Sequence, residues 1–474
     1  MENIFKIYNN ERMNFKETKN NLNESAGRSF KSKHFHCITA AMILLCVLFS
    51  FGCAKNKNTL RFDLNKETGS PIPYPNVSFA VISDVHIYDP SLGTSGSAFE
   101  KTMSSDRKLL LDSIDLLEYA IADIITSSAS FVIISGDLTK DGELINHHLM
   151  AEKLNRFKNA GIPVFVVPGN HDINNPDAVS YSGGSTAPVP TVSAADYMNI
   201  YGEFGYNAAL MRDDDSVSYV VEPLEGLWLL CLDACRYREN VPGKGEIVSG
   251  KISQKTADWI AAVLKDAGAR KKAVIAVIHH GVVEHWKGQS KLHPDYLIQE
   301  FAAFSEFLAS WNVRLVFTGH YHAQDITLAK FGDKFIYDIE TGSLVTAPCP
   351  IRYLEIRNNT LSIQTKSIVD KIHPGTDFAD KAYAFVKKTV MLEAISTLRK
   401  YKVSDRDCET VADAVGDAFT AHYMGDEDPS LCPPFDPGKL NLWGRFIYSQ
   451  QKYALDGLWA DLNPADNNVR IELR

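Results

Sequence analysis

The stretch FVIISGDLTKDGE, residues 131–143, joins a short apolar run to the pair Gly136-Asp137. Four other segments have the same form: FAVISDVH (79–86), VFVVPGNHD (164–172), AVIAVIHH (273–280) and RLVFTGHYH (314–322). Short apolar runs bounded by Gly, Pro or Asp are typical of buried strands. The polar residues therefore follow strand ends, which is where an open α/β sheet presents its ligand-binding groups.

The side chains that follow these runs suit a metal centre. Residues i and i+2 of an extended chain point the same way, so Asp84 with His86, and His320 with His322, are predicted to reach one ion together. Asp137 follows a glycine and can approach two ions closely. No motif contains Cys, and a set of imidazoles, carboxylates and the Asn170 amide suits Zn, Mn, Fe, Co or Ni. Two such ions about 3.5–4 Å apart would support an in-line displacement at phosphorus.

The five motifs, in the order D-x-H, G-D, G-N-H-D, H and G-H-x-H, resemble the calcineurin-like metallophosphoesterase family. The resemblance extends from about Val77 to Ser367 and implies a four-layer α/β/β/α sandwich with two transition-metal ions (Mn, Fe or Zn). The segment 136–143 resembles most the cyclic-nucleotide phosphodiesterase branch. Lys140 stands where purple acid phosphatases have a Tyr ligand, which argues against that branch.

The resemblance also implies roles for individual residues. One ion would take Asp84, His86, Asp137 and His322, and the other would take Asp137, Asn170, His320 and one histidine of the pair 279–280. His279 is favoured because related sequences with paired histidines use the first, and because strand alternation turns His280 to the opposite side. His171 would contact a phosphate oxygen or protonate the leaving alkoxide. Asp172 would orient His171 by accepting its ring proton.

The function expected from this resemblance is metal-dependent hydrolysis of a phosphoester by a metal-bridging hydroxide. A phosphodiester such as a cyclic nucleotide is the favoured substrate. A phosphomonoesterase or nucleotidase, and a non-catalytic envelope lipoprotein that uses the fold for binding, are the alternatives. The formal net charge of -9 argues against a general nucleic-acid-binding surface, so a small phosphoester is the expected partner.

The N-terminal region has the features of an export signal. After a polar tail (residues 1–30) predicted to be disordered, residues 31–53 combine basic residues, the apolar run Cys37–Phe51 and the pair Gly52-Cys53. This order predicts a bacterial lipoprotein lipidated at Cys53, attached to a membrane outside the cytoplasm. An uncleaved anchor is the alternative, although the run is shorter than the ~20 residues that a spanning helix needs.

The remaining chain is predicted to consist of a linker (residues 54–76), a catalytic domain (77–368) and a small helical C-terminal domain (369–474). The polar segment Ile173–Val217 is expected to be a long loop, either a lid or disordered. His285 and His293 are candidates for lining the mouth of the substrate site. Cys408 and Cys432 either form a disulfide or are free thiols, as the five cysteines after the signal cannot all pair within the chain.

Overall fold

Two β-sheets packed face to face form the centre of the molecule. The computed structural model describes residues 60–65 and 71–474. In chain order its strands are β1 (Val77–Ile82), β2 (Val132–Ile134), β3 (Val164–Val166), β4 (Val179–Ser182), β5 (Ser185–Pro188), β6 (Met211–Arg212), β7 (Tyr219–Leu224), β8 (Leu227–Leu232), β9 (Ala273–Ile278), β10 (Leu315–Thr318), β11 (Asp325–Phe331), β12 (Lys334–Glu340), β13 (Pro350–Arg357), β14 (Thr360–Ser367) and β15 (Asn468–Glu472).

Helices cover the outer faces of these sheets and dominate the C-terminal region. In chain order they are α1 (Ser97–Ser105), α2 (Ser113–Ile125), α3 (Leu144–Asn159), α4 (Ala194–Ile200), α5 (Gln254–Ala269), α6 (Gln289–Leu292), α7 (Phe301–Ser310), α8 (Phe378–Lys400), α9 (Asp405–Met424) and α10 (Leu442–Leu458). On α2, buried Leu117, Ile121 and Ile124 recur at helical spacing, so one face of the helix is apolar.

The first sheet has the strand order β15-β14-β13-β1-β2-β3, and the second has the order β11-β12-β10-β9-β8-β7-β6. Strands β1, β2 and β3 are mutually parallel, as are β8, β9, β10 and β12, while the outer strands are antiparallel. The parallel strands therefore bring their carboxyl ends to one edge of each sheet.

The contact between the sheets is mainly apolar. The ring of Phe79 on β1 meets that of Phe317 on β10 edge-on, with the centroids 5.6 Å apart. The Tyr219 hydroxyl donates a hydrogen bond to the Val166 carbonyl of the other sheet. Helix α3 contacts β3, α5 contacts β9, and α7 contacts β12. The predicted α/β/β/α sandwich with a helical C-terminal region is confirmed.

The structure differs from the sequence-based expectation in several segments. Residues 173–217 hold the hairpin β4–β5, helix α4 and strand β6, so the prediction of a long irregular loop was wrong. The last strand, β15, returns from the helical region and pairs with β14. Cys408 and Cys432 are both free, so the disulfide alternative is also wrong. The predicted tail and signal, including Cys53, lie outside the described residues.

Among the residues that the structure describes, no helix is both long enough and apolar enough to span a bilayer.

Candidate metal centre

The polar residues of the five motifs meet at the carboxyl edges of the two sheets. Asp84 and His86 follow β1, Asp137 follows β2, Asn170 follows β3, His279 follows β9, and both His320 and His322 follow β10. Backbone hydrogen bonds tie these loops together: Asp84 N donates to Gly136 O, and His86 N donates to Asp137 O. Across the sheets, His320 N donates to the Asp84 carboxylate. The strand ends and the hydrogen bonds between the loops therefore bring the motifs to one site.

One group of potential ligands contains Asp84, His86 and His322, whose ligand atoms lie within 4.8 Å of one another. His322 Nε2 is 3.3 Å from Asp84 Oδ1. His86 Nε2 is 3.4 Å from His322 Nε2, and His86 Nδ1 hydrogen-bonds to the Thr139 carbonyl. Because a carbonyl only accepts, Nδ1 carries the proton and the lone pair of Nε2 faces the group.

A second group contains Asp137, His279 and His320. Asp137 Oδ2 lies 3.2 Å from His279 Nε2 and 3.6 Å from His86 Nε2. Asp137 therefore stands between the two groups, and one carboxylate can serve both. His279 Nδ1 donates to the Ser135 carbonyl, which again leaves Nε2 facing inward.

At five residues of the two groups the backbone is left-handed, not extended. Positive φ angles occur at Asp84 (50°), His86 (40°), Asp137 (49°), His320 (78°) and His322 (69°). Asp84 and His86 share one group as predicted, whereas His320 and His322 fall in different groups. Turns, and not strand alternation, place these side chains. Each strand ends before its ligands, and a sharp turn directs the side chains. Such conformations cost about 1–3 kcal/mol each in non-glycine residues and concentrate at functional sites.

Glycines in the motifs permit the close approach of the loops. A Cβ at Gly169 would lie 2.0 Å from Asp137 Oδ1. At Gly319 it would lie 2.1 Å from Ser83 Oγ and 2.4 Å from Asp84 Oδ2. Both distances are far below van der Waals contact, so no residue with a side chain fits without moving a carboxylate of the centre.

The donor set fits two transition-metal ions. His279 Nε2 and Asn170 Oδ1 are buried and have no hydrogen-bond partner, which is costly unless a ligand occupies the space they face. Glu246 accepts a hydrogen bond from Asn170 Nδ2, so the amide oxygen is left free. Nitrogen and oxygen donors without thiolates suit Zn, Mn or Fe.

Burial and local charges set the protonation of the centre. Burial lowers the pKa of three of its histidines, His86, His320 and His322, which favours the neutral, metal-binding form. Burial alone would raise the pKa of Asp137, but the facing His279, His171 and His86 hold it well below its usual range. Asp137 is therefore an ionised acceptor.

His280 points away from both groups. Its Nε2 donates to the Val248 carbonyl at 2.8 Å, and burial lowers its pKa to about 3. Its ring packs against that of His320, with the centroids 4.4 Å apart. The structure thus brings His279, and not His280, to the Asp137 carboxylate.

His171 lies beside the centre, but its partner differs from the expected one. Its Nδ1 is 2.9 Å from Asp141 Oδ1, and its Nε2 is 3.9 Å from Asp137 Oδ2. Asp172 does not contact the imidazole, so the expectation that Asp172 orients His171 was wrong. Asp172 accepts hydrogen bonds from the backbone N–H groups of Gly169, Leu138 and Thr139 and from the Thr139 hydroxyl. Its role is to join two of the motif loops.

Three residues around His171 were not identified as site residues from the sequence. Glu246 Oε1 lies 3.2 Å from His171 Nε2, and Lys108 Nζ lies 3.5 Å from the same nitrogen. Burial and Lys108 lower the pKa of His171, whereas Glu246, Asp137 and Asp141 raise it to about 10. Asp141 lies within the segment 131–143 and is close to Asp137 in the sequence, so it could have been identified as a site residue. Lys108 and Glu246 lie outside all five motifs.

The comparison with models of protein families agrees with this geometry. The family model for calcineurin-like phosphoesterases matches residues 77–324, and no curated protein matches the chain in sequence.

Solved structures that resemble the chain were also found. A dimetal phosphatase from Danio rerio is 17% identical, with a TM-score of 0.43, and the match covers 63% of this chain and 97% of that one. The sulfate thiohydrolase SoxB from Thermus thermophilus is 12% identical, with a TM-score of 0.36, over 68% of this chain and 61% of that one. The purple acid phosphatase PPD1 from yellow lupin is 11% identical, with a TM-score of 0.42, over 63% of this chain and 52% of that one.

The family model spans more than half of the chain and contains all the residues that meet at the strand ends. The chain therefore belongs to the calcineurin-like phosphoesterase family and is a metal-dependent hydrolase of phosphoesters.

Proposed function

We propose that this hydrolase cleaves a phosphodiester, with a cyclic nucleotide as the favoured substrate class. The observation that carries the proposal is a cavity of about 210 Å³ close to the metal centre. Its lining includes Arg107, His293, Tyr296, Tyr321 and Phe419. The Tyr296 ring lies 4.8 Å from that of His320, so the cavity adjoins the second ligand group. A diester carries two organic groups, and an aromatic cavity gives the second one a binding site.

The proposed ligand sets follow the two groups. One ion is assigned to Asp84, His86, Asp137 and His322, and the other to Asp137, Asn170, His279 and His320. When bound, the two ions polarise the phosphoryl oxygens and lower the pKa of water. The protein positions its inward-facing nitrogen and oxygen atoms before the ions bind, through hydrogen bonds to Thr139, Ser135 and Glu246.

His171 is proposed as the general acid. Asp141 holds its Nδ1, so Nε2 is the atom that can donate a proton to the leaving oxygen. Glu246 and Lys108 flank that nitrogen. Lys108 is only 8% exposed, and its positively charged ammonium group can bind a phosphate oxygen.

A substrate comparison tests the diesterase proposal. The purified protein, loaded with Mn²⁺ or Zn²⁺, is assayed against bis(4-nitrophenyl) phosphate, 4-nitrophenyl phosphate, nucleoside monophosphates and cyclic nucleotides. A higher kcat/KM for diesters supports the proposal. Equal or greater activity on monoesters favours the phosphomonoesterase or nucleotidase alternative. No turnover of any ester by metal-loaded protein would favour the non-catalytic lipoprotein.

We also propose that the protein is lipidated at Cys53 and attached to a membrane outside the cytoplasm. The support is the order of basic residues, apolar run and Gly52-Cys53 in residues 31–53. Mass spectrometry of the mature N-terminus in the native host tests this. A diacylglyceryl-modified Cys53 at the N-terminus is expected, and an intact Cys37–Phe51 segment would show an uncleaved anchor instead.

A further inference from the structure

A second cluster of buried ionisable groups lies where the C-terminal helices meet β11. Ligand atoms of Asp325, His422 and Glu427 lie within 4.8 Å of one another. His422 Nδ1 forms a hydrogen bond with Glu427 Oε1 and lies 4.0 Å from Asp325 Oδ2. None of the three residues is more than 7% exposed. We call Asp325, His422 and Glu427 the junction cluster.

The surroundings of the junction cluster contain more buried carboxyl groups than buried cationic groups. Five carboxylates there are at most 7% exposed: Asp325, Asp338, Glu340, Glu427 and Asp466. The buried groups able to balance them in the described chain are Arg352, His285 and His422. If all five were ionised and both histidines were protonated, two negative charges would remain. Burying uncompensated charge is costly, so a divalent cation or protonation must balance it.

Two atoms of the junction cluster have no hydrogen-bond partner. Glu427 Oε2 and His422 Nε2 are both buried and unpaired. Asp461, which interacts electrostatically with Glu427 and Asp325, also has an unpaired oxygen, Oδ1. Buried polar atoms of native proteins are nearly always paired, so several orphans in one place indicate an absent ligand.

The neighbouring carboxylates Asp426 and Asp466 do not form an equivalent site, because their oxygens are occupied. Asp466 accepts hydrogen bonds from Ile326 N and Asp426 N. Asp426 accepts from Asp466 N and the Asn467 amide. These reciprocal bonds hold the segment before β15, which contains Asp466, against the loop that contains Asp426. Atoms without a hydrogen-bond partner in this region include Glu427 Oε2, His422 Nε2 and Asp461 Oδ1.

We propose that Asp325, His422 and Glu427 bind a divalent transition-metal ion. An imidazole among carboxylates suits Zn²⁺ or Mn²⁺ better than Ca²⁺ or Mg²⁺, which take oxygen donors. The ion connects His422, near the end of α9, to Asp325 at the start of β11. Asp325 lies three residues after His322 in the sequence.

Elemental analysis with Zn²⁺ as the only added ion tests the proposal on the full chain. Glu427→Gln and His422→Gln are each expected to bind about one ion fewer than the wild type. His373→Gln is the matched control, because His373 pairs with Asp112 and belongs to neither metal cluster. The same loss of about one ion is expected when Glu427→Gln is added to Asp137→Asn, since the two clusters share no residue.

A second measurement covers the case in which a variant fails to fold. Anomalous difference maps from Zn²⁺-loaded wild-type crystals are expected to show a peak about 2.0–2.2 Å from oxygens of Asp325 and Glu427. Thermal unfolding of Asp137→Asn should shift to a lower temperature on chelation, and this shift should be absent from the double variant. An unchanged ion count in the folded variants, or no peak at the junction cluster, would overturn the proposal and leave a His422–Glu427 ion pair.

Discussion

At the scale of single residues, the catalytic centre depends on unusual backbone conformations. Five of the seven residues assigned to metal binding have positive φ. Left-handed conformation at Asp or His costs stability, and it persists only where the surroundings hold it in place. Here the surroundings are the backbone bonds between motif loops and the four hydrogen bonds accepted by Asp172. The geometry of the ligands is therefore established by their neighbours before any ion binds.

The first residue-scale prediction separates catalysis from metal binding at His171. His171→Ala should retain the ions and lower kcat by the ~10²–10⁴-fold that is typical of a lost general acid. The loss should be large for nucleoside leaving groups and small for nitrophenolate, which needs little protonation. Steady-state kinetics with both ester types, beside metal analysis, provide the measurement.

His148 is exposed, so His148→Ala is the matched control for this substitution and should behave as the wild type. An equal loss for both leaving groups would assign His171 to phosphate binding. Loss of metal would make it a ligand.

The second residue-scale prediction contrasts Asp141 with Asp172. Asp141→Asn should lower activity on poor leaving groups and have little further effect in a His171→Ala background, because it acts through that ring. Asp172→Ala should instead destabilise the fold by about 3 kcal/mol or more, since several buried donors lose their acceptor. Kinetic double-mutant cycles and chemical unfolding distinguish the two. A stable Asp172→Ala protein with the kinetic defect would restore the sequence-based assignment.

At the scale of elements, the carboxyl ends of parallel strands bring the motifs together. Strands β1–β3 belong to one sheet and β9–β10 to the other, so the site depends on how closely the two edges approach. Gly169 and Gly319 mark the places where loops and carboxylates touch.

Gly169→Ala should therefore displace the Asp137 carboxylate and lower metal occupancy at both ligand groups. The control Gly268→Ala lies in α5, where an added Cβ meets nothing within 4 Å. It should be neutral or slightly stabilising, because Ala is a better helix former. Elemental analysis and thermal unfolding of the two proteins give the comparison. Wild-type metal content in Gly169→Ala would mean that the loop can shift without cost.

The sequence predicted the buried strands before the motifs well, because apolar runs that end in Gly-Asp or Gly-His carry a strong local signal. It did not predict the turns that aim Asp84, His86 and His322, because left-handed conformation at Asp or His is imposed by distant contacts. Glu246 and Lys108 were missed for the same reason, since they reach His171 from other parts of the chain. Strands β11 and β15 were not predicted, because they are defined mainly by their pairing with β12 and β14.

At the scale of the whole molecule, the C-terminal helices and the catalytic sheets depend on each other. Arg107 donates hydrogen bonds to Tyr423 and Glu393 of the helical region. Strand β15 completes the first sheet, and Arg352 donates to the Asp466 carbonyl. The helical region also forms much of the cavity beside the centre.

Removal of residues 369–474 should therefore prevent stable folding of the catalytic region. The truncated protein should be insoluble or should unfold at a much lower temperature than the full chain, because β14 loses its neighbour and apolar surface is exposed. Soluble yield and circular dichroism melting give the readout. A truncated protein that melts like the full chain would show that residues 77–368 fold independently.

The central claim is that Asp137 lies between two metal ions held at the strand ends. The most direct test is an anomalous difference map from crystals of the Mn²⁺-loaded protein. Two peaks about 3.5–4 Å apart on either side of the Asp137 carboxylate are predicted, one next to His86 and His322 and the other next to His279 and His320. A single peak, or density that leaves Asp137 uncoordinated, would contradict the account.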